Sequence, residues 1–345
     1  MSNLNFNSGQ EPKLEFDFRE VGLGEGNYIW IDDGDGIQTQ NEFQIAPFAD
    51  QGNFIRISLF NNEFEQVYNQ EFSQSLLINP IKWKLSKNKL KKRLANLSSQ
   101  TNIRLNRKDR QAGGIPVLNF TEFDVTDENL VSFISSINQS VFWNRGNPSY
   151  DILFNYLRNN SGILLTTGTD VRDNENYSLK VRKNFAKKLD ISLTGNLGSN
   201  SQTNINFPDN NYLLDIREGE LEASYRIQNS LEARINTGYN IKQNQLDIER
   251  ARSFNTNFGV SYSTKNKTRI DGSLSYNNID FNTAGNPIID LVVLEGLQNG
   301  NNFLWELRFT KRLINNFDLT LNYNGRKTGQ ARTVHVANAQ IRASF

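Results

Sequence analysis

Apolar and polar residues alternate with a period of two along most of this chain. Leu231, Ala233, Ile235, Thr237 and Tyr239 interleave with Glu232, Arg234, Asn236, Gly238 and Asn240. Phe317, Leu319, Leu321 and Tyr323 interleave with Asp318, Thr320, Asn322 and Asn324, and Ile270, Gly272, Leu274 and Tyr276 with Asp271, Ser273 and Ser275. The pattern recurs at Tyr177–Phe185, Leu189–Leu197, Leu221–Ile227, Phe254–Tyr262 and Phe303–Phe309. Such alternation predicts strands with one apolar and one polar face. The best helical candidate, Ile81–Leu94, is short and Lys-rich. Strands are expected near 53–60, 66–78, 93–105, 136–144, 150–157, 177–186, 189–198, 212–226, 230–241, 252–263, 268–278, 302–311, 316–325 and 333–345.

The connections add a second regularity. From residue 177 onward, tight turns at Ala186–Lys188, Gln228–Asn229, Lys265–Lys267 and Leu313–Asn315 take turns with longer polar links at 199–211, 242–251, 279–301 and 326–332. A membrane barrel sorts its loops in this way, with short turns on the periplasmic side and longer loops outside. The expected fold is all-β: a transmembrane antiparallel β-barrel of roughly 14 strands, or a portion of a larger one. Residues 1–50 form a periplasm-side lead-in and residues 51–345 the barrel, with 279–301 as an outer contact surface. The competing fold is a soluble sandwich or solenoid whose apolar faces meet one another.

Composition sharpens the choice. The 345 residues carry a net charge of +1, so no global field draws nucleic acid to the chain. There is one His and no Cys, which excludes His-rich metal sites, thiol chemistry and disulfides. Mean hydropathy is −0.59, yet the chain holds 23 Phe, 11 Tyr and 50 Asn. That combination suits strands whose apolar face meets lipid and whose polar face lines a lumen. There is no apolar run of transmembrane-helix length, and the opening MSNLNFNSGQEPK has no apolar signal region.

Candidate chemistry is sparse. In DDGDGIQTQNEF, Asp33, Asp35 and Glu42 with Gly36 approach the spacing of a calcium loop, so Ca2+ is the one cofactor to consider. Anchoring on Gly36 puts Ile31 at the first ligand position, and the competing reading is an Asp-Gly turn held by Asx-type hydrogen bonds. His335 would need Ser253 or Ser344 beside it to serve a hydrolase, and no motif selects either. The glycines of GLGEG lack a following helix and Lys-Ser/Thr, and read as a flexible link. The basic stretch Lys82–Arg93 fits a periplasm-side turn touching lipid phosphates, and Trp30, Trp83, Trp143 and Trp305 fit interface girdles.

The stretches GNYIWIDDGDGIQTQNEF, FADQGNFIRISLF, SVFWNRGNPSYD, LLTTGTDVRDNENYSLKVRKNF, VLEGLQNGNNFLWEL and YNGRKTGQARTVHVANAQIRASF resemble the C-terminal part of long Bacteroidota outer-membrane barrel proteins. A more distant likeness is to the barrel translocon of type 9 secretion and gliding. The final strand, with Ile341 and the terminal Phe345, resembles the signal read by the barrel assembly machinery. The resemblance implies a cell outer-membrane location, outer-membrane lipid and the assembly machinery as partners, and a chain that is a fragment, a truncated gene model or a split reading frame. The expected function is non-enzymatic: transport, secretion or surface display of a polar cargo. The alternatives are a soluble calcium-dependent binding or adhesion module, and an outer-membrane hydrolase using His335.

Overall fold

The computed structural model describes residues 2–32, 34–111, 129–165, 168–264, 268–282, 285–313 and 317–343. The strands are β1 (Ser2–Glu20), β2 (Tyr28–Trp30), β3 (Phe43–Ile45), β4 (Phe54–Ile78), β5 (Leu97–Asp109), β6 (Leu130–Trp143), β7 (Tyr150–Leu165) and β8 (Gly168–Phe185). They continue as β9 (Leu189–Asn204), β10 (Tyr212–Gln228), β11 (Leu231–Asn244), β12 (Arg250–Ser263), β13 (Thr268–Asn282), β14 (Gly300–Arg312), β15 (Phe317–Thr328) and β16 (Val334–Ala343). Two short helices, α1 (Lys89–Leu94) and α2 (Pro287–Leu294), complete the fold. All sixteen strands belong to one antiparallel sheet. From β4 to β16 each strand pairs with its neighbour in sequence, and β1 joins along β4.

Setting aside the three-residue β2 and β3 leaves fourteen long strands. The expected count was also fourteen, but two of its strands are placed differently. Residues 53–60 and 66–78 are one strand, β4, because pairing with β1 carries the backbone through the polar run NNEFEQ. Residues 2–20, expected within the lead-in, form the strand β1; their alternation is broken by polar Ser8 and Gln10 and by a register shift between Pro12 and Leu14. The segment 81–94, the best helical candidate and read as a turn, holds a 3-10 turn, Ile81–Leu85, followed by α1.

Loop sorting follows the same parity. Residues 144–149, 186–188, 229–230, 264–267 and 313–316 connect strands at one end, together with the longer 79–96 segment. Residues 21–53, 110–129, 166–167, 205–211, 245–249, 283–299 and 329–333 connect them at the other end, so the sorting holds from β8 onward while the β7–β8 link is two residues long. β1 begins and β16 ends at the short-turn end.

Alternation gives the sheet two unlike faces. One carries Leu193, Leu197, Phe258 and Leu274, which are 50–60% exposed, with Leu179, Leu221, Ile235, Leu307 and Leu321. On this face aromatic rings gather in two belts. Trp143, Tyr150, Phe185, Tyr225, Tyr262 and Phe317 lie towards the short turns; Tyr239, Phe254, Tyr276, Phe303, Trp305 and Tyr323 lie towards the long loops. The opposite face is polar, and its ion pairs, Arg182–Asp151, Arg234–Glu232, Arg269–Asp271 and Arg312–Asp318, concentrate towards the short turns.

Among the described residues no ladder joins β1 to β16; each is an edge strand, β1 paired with β4 and β16 with β15. At the long-loop end β1 and β4 run past the end of β5 as a two-stranded ribbon. Residues 54–64 of β4 pair with β1, while β5 pairs only from Tyr68 onward. The tip of this ribbon reaches β15 near the far edge of the sheet, where Arg326 binds Asp50.

Trp305 shows how tightly the apolar face is packed. Its indole lies over Gly325, directly opposite on β15, so a Cβ there would fall 2.2 Å from the ring. Gly325→Ala is expected to push the indole off the strand and cost about 1–3 kcal/mol, read as a shifted tryptophan emission and a lower urea midpoint. An unchanged spectrum and midpoint would contradict this packing.

Candidate functional site

The site is built at the long-loop end, where two inserted segments meet the polar face. The first is a knob made from residues 21–53 and the ribbon tip. Phe18 stacks on Phe43 with ring centres 4.1 Å apart; Phe43 meets Phe54 edge-on at 5.0 Å and Tyr28 meets Phe18 at 5.2 Å. Arg56 lies 4.5 Å over the Phe16 ring. GLGEG is a tight turn here, not a flexible link. The N–H groups of Gly24 and Gly26 donate to the Gly52 carbonyl, and a Cβ on Gly52 would fall 2.1 Å from the Gly26 oxygen.

The acidic loop lies within this knob. Asp32, Asp35 and Glu42 each bring a carboxylate oxygen within 4.8 Å of the others. Asp33, expected among the ligands, lies outside the described residues, so Asp32 stands in the trio instead. The Asp32 carboxylate accepts from the backbone N–H of Gly34 (2.9 Å) and Gly36 (3.0 Å), which holds its pKa below the usual Asp value. Asp35 accepts from Ile37 N–H at 2.7 Å. Buried Glu42 accepts from Trp30 Nε1 (2.7 Å) and from Thr39 N–H (3.0 Å), closing the 3-10 turn Gln40–Glu42. Each of the three carboxylates accepts from N–H donors of its own loop or of Trp30, the hydrogen bonds of a structural turn. Trp30 belongs to this knob and not to a girdle. Its indole N–H needs a buried acceptor, the reason Glu42 sits there.

The second segment is the connection 283–299, which the sequence presents as an outer contact loop. It turns inward instead. Asn286 caps α2 by accepting from Ile288 N–H at 2.9 Å, and its amide donates to the Asp209 carbonyl at 2.8 Å, tying the loop to the β9–β10 connection. Ile289 and Val293 bury themselves against Tyr212, Leu214, Ala251 and Ile279. Those four sit on the polar face, which turns apolar only at this end; the run PIIDLVVL is the matching signal in the sequence. Buried Lys242 donates to the Val293 carbonyl (3.1 Å) and to Glu295 (2.6 Å), completing the dock.

The two segments touch. Pro47 lies against Gly296, where an added Cβ would sit 2.2 Å from the Pro47 Cβ. Arg326 of β15 grips Asp50 with both guanidinium nitrogens, at 2.5 and 2.7 Å, and lies 4.2 Å over the Phe48 ring. The guanidinium holds the Asp50 carboxyl below its ordinary pKa.

Beneath the knob lie two adjoining cavities of about 410 and 310 Å³ that share Phe48, Ser275 and Leu304. Asn324 and Arg326 line the larger; Asn236, Asn255, Asn257 and Asn277 line the smaller. Sequence reasoning did not single these residues out, because any one Asn on a polar face is unremarkable and only the register brings them together. The assembly-signal residues fare differently: Ile341 is exposed on the apolar face of β16, while Ser344 and Phe345 lie outside the described residues. His335 also lies on the apolar face, its Nδ1 2.8 Å from the Tyr323 hydroxyl and its ring beside Trp305. Ser253 of β12 points to the polar face, so it does not pair with His335.

A scan against family models finds no match, and a search of curated proteins finds none. Among solved structures, the chain is similar to the outer-membrane channel DcaP of Acinetobacter baumannii at 8% identity and a TM-score of 0.43, covering 99% of this chain and 96% of that one. It is also similar to a loop-deletion form of the outer-membrane protein OmpT of Vibrio cholerae at 9% identity and a TM-score of 0.38, covering 99% and 97%. The function argued below rests on the chain's own geometry.

The Asp50–Arg326 contact sets a pH dependence. Because the folded pKa of Asp50 is depressed, its contribution is complete above the unfolded value and is lost as pH falls through the lowered one. Spin labels at Ile37→Cys on the knob and Gln330→Cys on the β15–β16 link should report one narrow distance near neutral pH. The distribution should broaden on acidification, and in Asp50→Asn at neutral pH. A distribution unchanged by either would show that this ion pair does not hold the knob.

Proposed function

We propose that the chain is an outer-membrane β-barrel protein that admits or holds a polar cargo in its lumen, without catalysing a reaction. The observation that carries this reading is the exposed apolar face of the sheet between its two aromatic belts. A contiguous exposed patch on a soluble monomer rarely exceeds a few hundred Å², and this face runs across the sheet from β8 to β15. In lipid it needs no cover, and the belts lie where aromatic girdles meet the headgroups. Beyond the belt at the long-loop end the same face turns polar, with Arg158 bound to Asp173 at 2.6 Å. That change suits emergence into the headgroup region and water.

In this setting the short-turn end, with both chain ends, faces the periplasm. The knob and the α2 loop then cover the outer mouth, the side opposite to that expected for residues 1–50. The resemblance to Bacteroidota barrels supports the same location, with Ile341 and Phe345 as the strand end that the assembly machinery reads. The knob and loop make the mouth a gated or selective one, in keeping with transport, secretion or display.

Refolding into detergent or liposomes tests the reading by gel mobility. A compact unheated band that shifts on boiling is the expected result; a protein that stays monomeric and soluble without detergent would contradict it. Charge placement gives a second test. Leu193→Arg on the apolar face should cost about 2–4 kcal/mol of folding free energy in liposomes, as midplane cations do, while Thr194→Arg on the polar face should cost far less. Equal effects at the two neighbours would contradict a lipid-facing Leu193.

A further inference from the structure

Of the two cavities beneath the knob, the smaller is walled largely by amides and the larger is mixed. Asn236, Asn255, Asn257 and Asn277 line one, and Asn324 lines the other with Ser273 and Ser275. An amide side chain both donates and accepts, as does a hydroxyl. A cluster of amides therefore matches a ligand that offers many groups of the same dual character. The Asn257 amide already donates to Ser275 Oγ at 2.6 Å, and the Asn236 carbonyl oxygen is buried with no partner. That oxygen is an acceptor waiting for a donor, and a buried acceptor left so is costly.

Charge is present on this wall but compensated. Asp50 is bound to Arg326, Glu295 to Lys242 at 2.6 Å, and Glu306 lies 3.9 Å from Arg308. Each carboxylate lining the cavities thus faces a cation on the protein itself. An ionic ligand would have to compete with these pairs, whereas a neutral polar one would not. The remaining surface is apolar: Phe48 and Leu304 sit at the junction of the two cavities, Val334 and Val336 extend it in the larger one and Leu297 in the smaller. Apolar surface bordered on one side by amides suits a molecule with C–H faces and a hydroxyl rim. The volumes fall in the range of small-molecule sites.

From these features we infer that the space between the knob and the Asn-lined wall is a binding site for a neutral polyhydroxylated ligand, a short oligosaccharide. Phe48 covers its C–H face and the amides of β11, β12, β13 and β15 bind its hydroxyls. The inference rests on the reading of the chain as a lumen-bearing barrel and names the cargo class of that lumen. Since Phe48 belongs to the knob, a bound sugar also holds the knob down, so occupancy and closure of the mouth are coupled.

The test is isothermal titration of maltotriose into the full chain refolded in detergent, with glutamate and lysine as charged comparators. Saturable millimolar binding of maltotriose is expected, and neither comparator should match it. Phe48→Ala and Asn257→Leu should each weaken binding about five-fold or more, the equivalent of a lost hydrogen bond or its packing counterpart. Thr194→Val, on the polar face outside the cavities, should leave binding unchanged. The heat-shifted gel band identifies variants that have folded. No saturable binding, equal binding of glutamate or lysine, or binding indifferent to both cavity variants would overturn the site. Passage is read separately as current across a planar bilayer. Current without sugar binding would refute the site and keep the passage reading; sugar binding without current would refute passage and keep the site.

Discussion

Everything in this chain depends on the backbone ladder and the two-residue period it imposes. Each strand from β5 to β15 has both edges paired, so nearly all its N–H and C=O groups are satisfied within the sheet. With the backbone settled, side chains alone decide what each face meets. A slip of one residue would exchange the faces completely. Leu274 would then stand where Ser275 stands, and the Asn-lined wall would meet the apolar exterior. The ladder therefore fixes the apolar surface and the Asn-lined wall in a single act, and for that reason a change of register changes both.

The polar face is organised in layers along the strands. Near the short turns it is dense in charge, but arranged as pairs such as Arg269–Asp271 and Arg312–Asp318. Exposed pairs of this kind contribute little stability; their effect is to leave the wall close to neutral. Farther up, amides and hydroxyls replace the charges. At the long-loop end Tyr212, Leu214, Ala251 and Ile279 make the same face apolar, and only there does a helix fold inward to cover it. The change in chemistry along one face thus sets where α2 docks.

Much of the fold was legible in the sequence because alternation is a local signal. The hairpins from β8 onward, the sorting of loops by length and the outward direction of His335 and Ile341 all follow from parity. What was illegible depended on long-range pairing or on a broken pattern. β1 was hidden because Ser8 and Gln10 interrupt its apolar positions, and β4 seemed divided because its polar middle is carried by its partner. The site was hardest to see. Asn236 and Asn324 are far apart in sequence and are brought under one knob, docked through the Asp50–Arg326 ion pair, the Phe48 ring and the Pro47–Gly296 contact. The acidic loop drew attention through its spacing, yet its carboxylates serve the turn and the Trp30 indole.

The central claim is that one face of this sheet meets lipid and the other meets water. A chain without cysteine lends itself to single-label scanning. Residues 272–277 of β13, replaced one at a time by spin-labelled Cys in liposomes, report collision with oxygen dissolved in lipid and with a water-soluble nickel complex. The account predicts antiphase alternation: oxygen contact high at Gly272, Leu274 and Tyr276, nickel contact high at Ser273, Ser275 and Asn277. Nickel contact equally high at all six positions would contradict it.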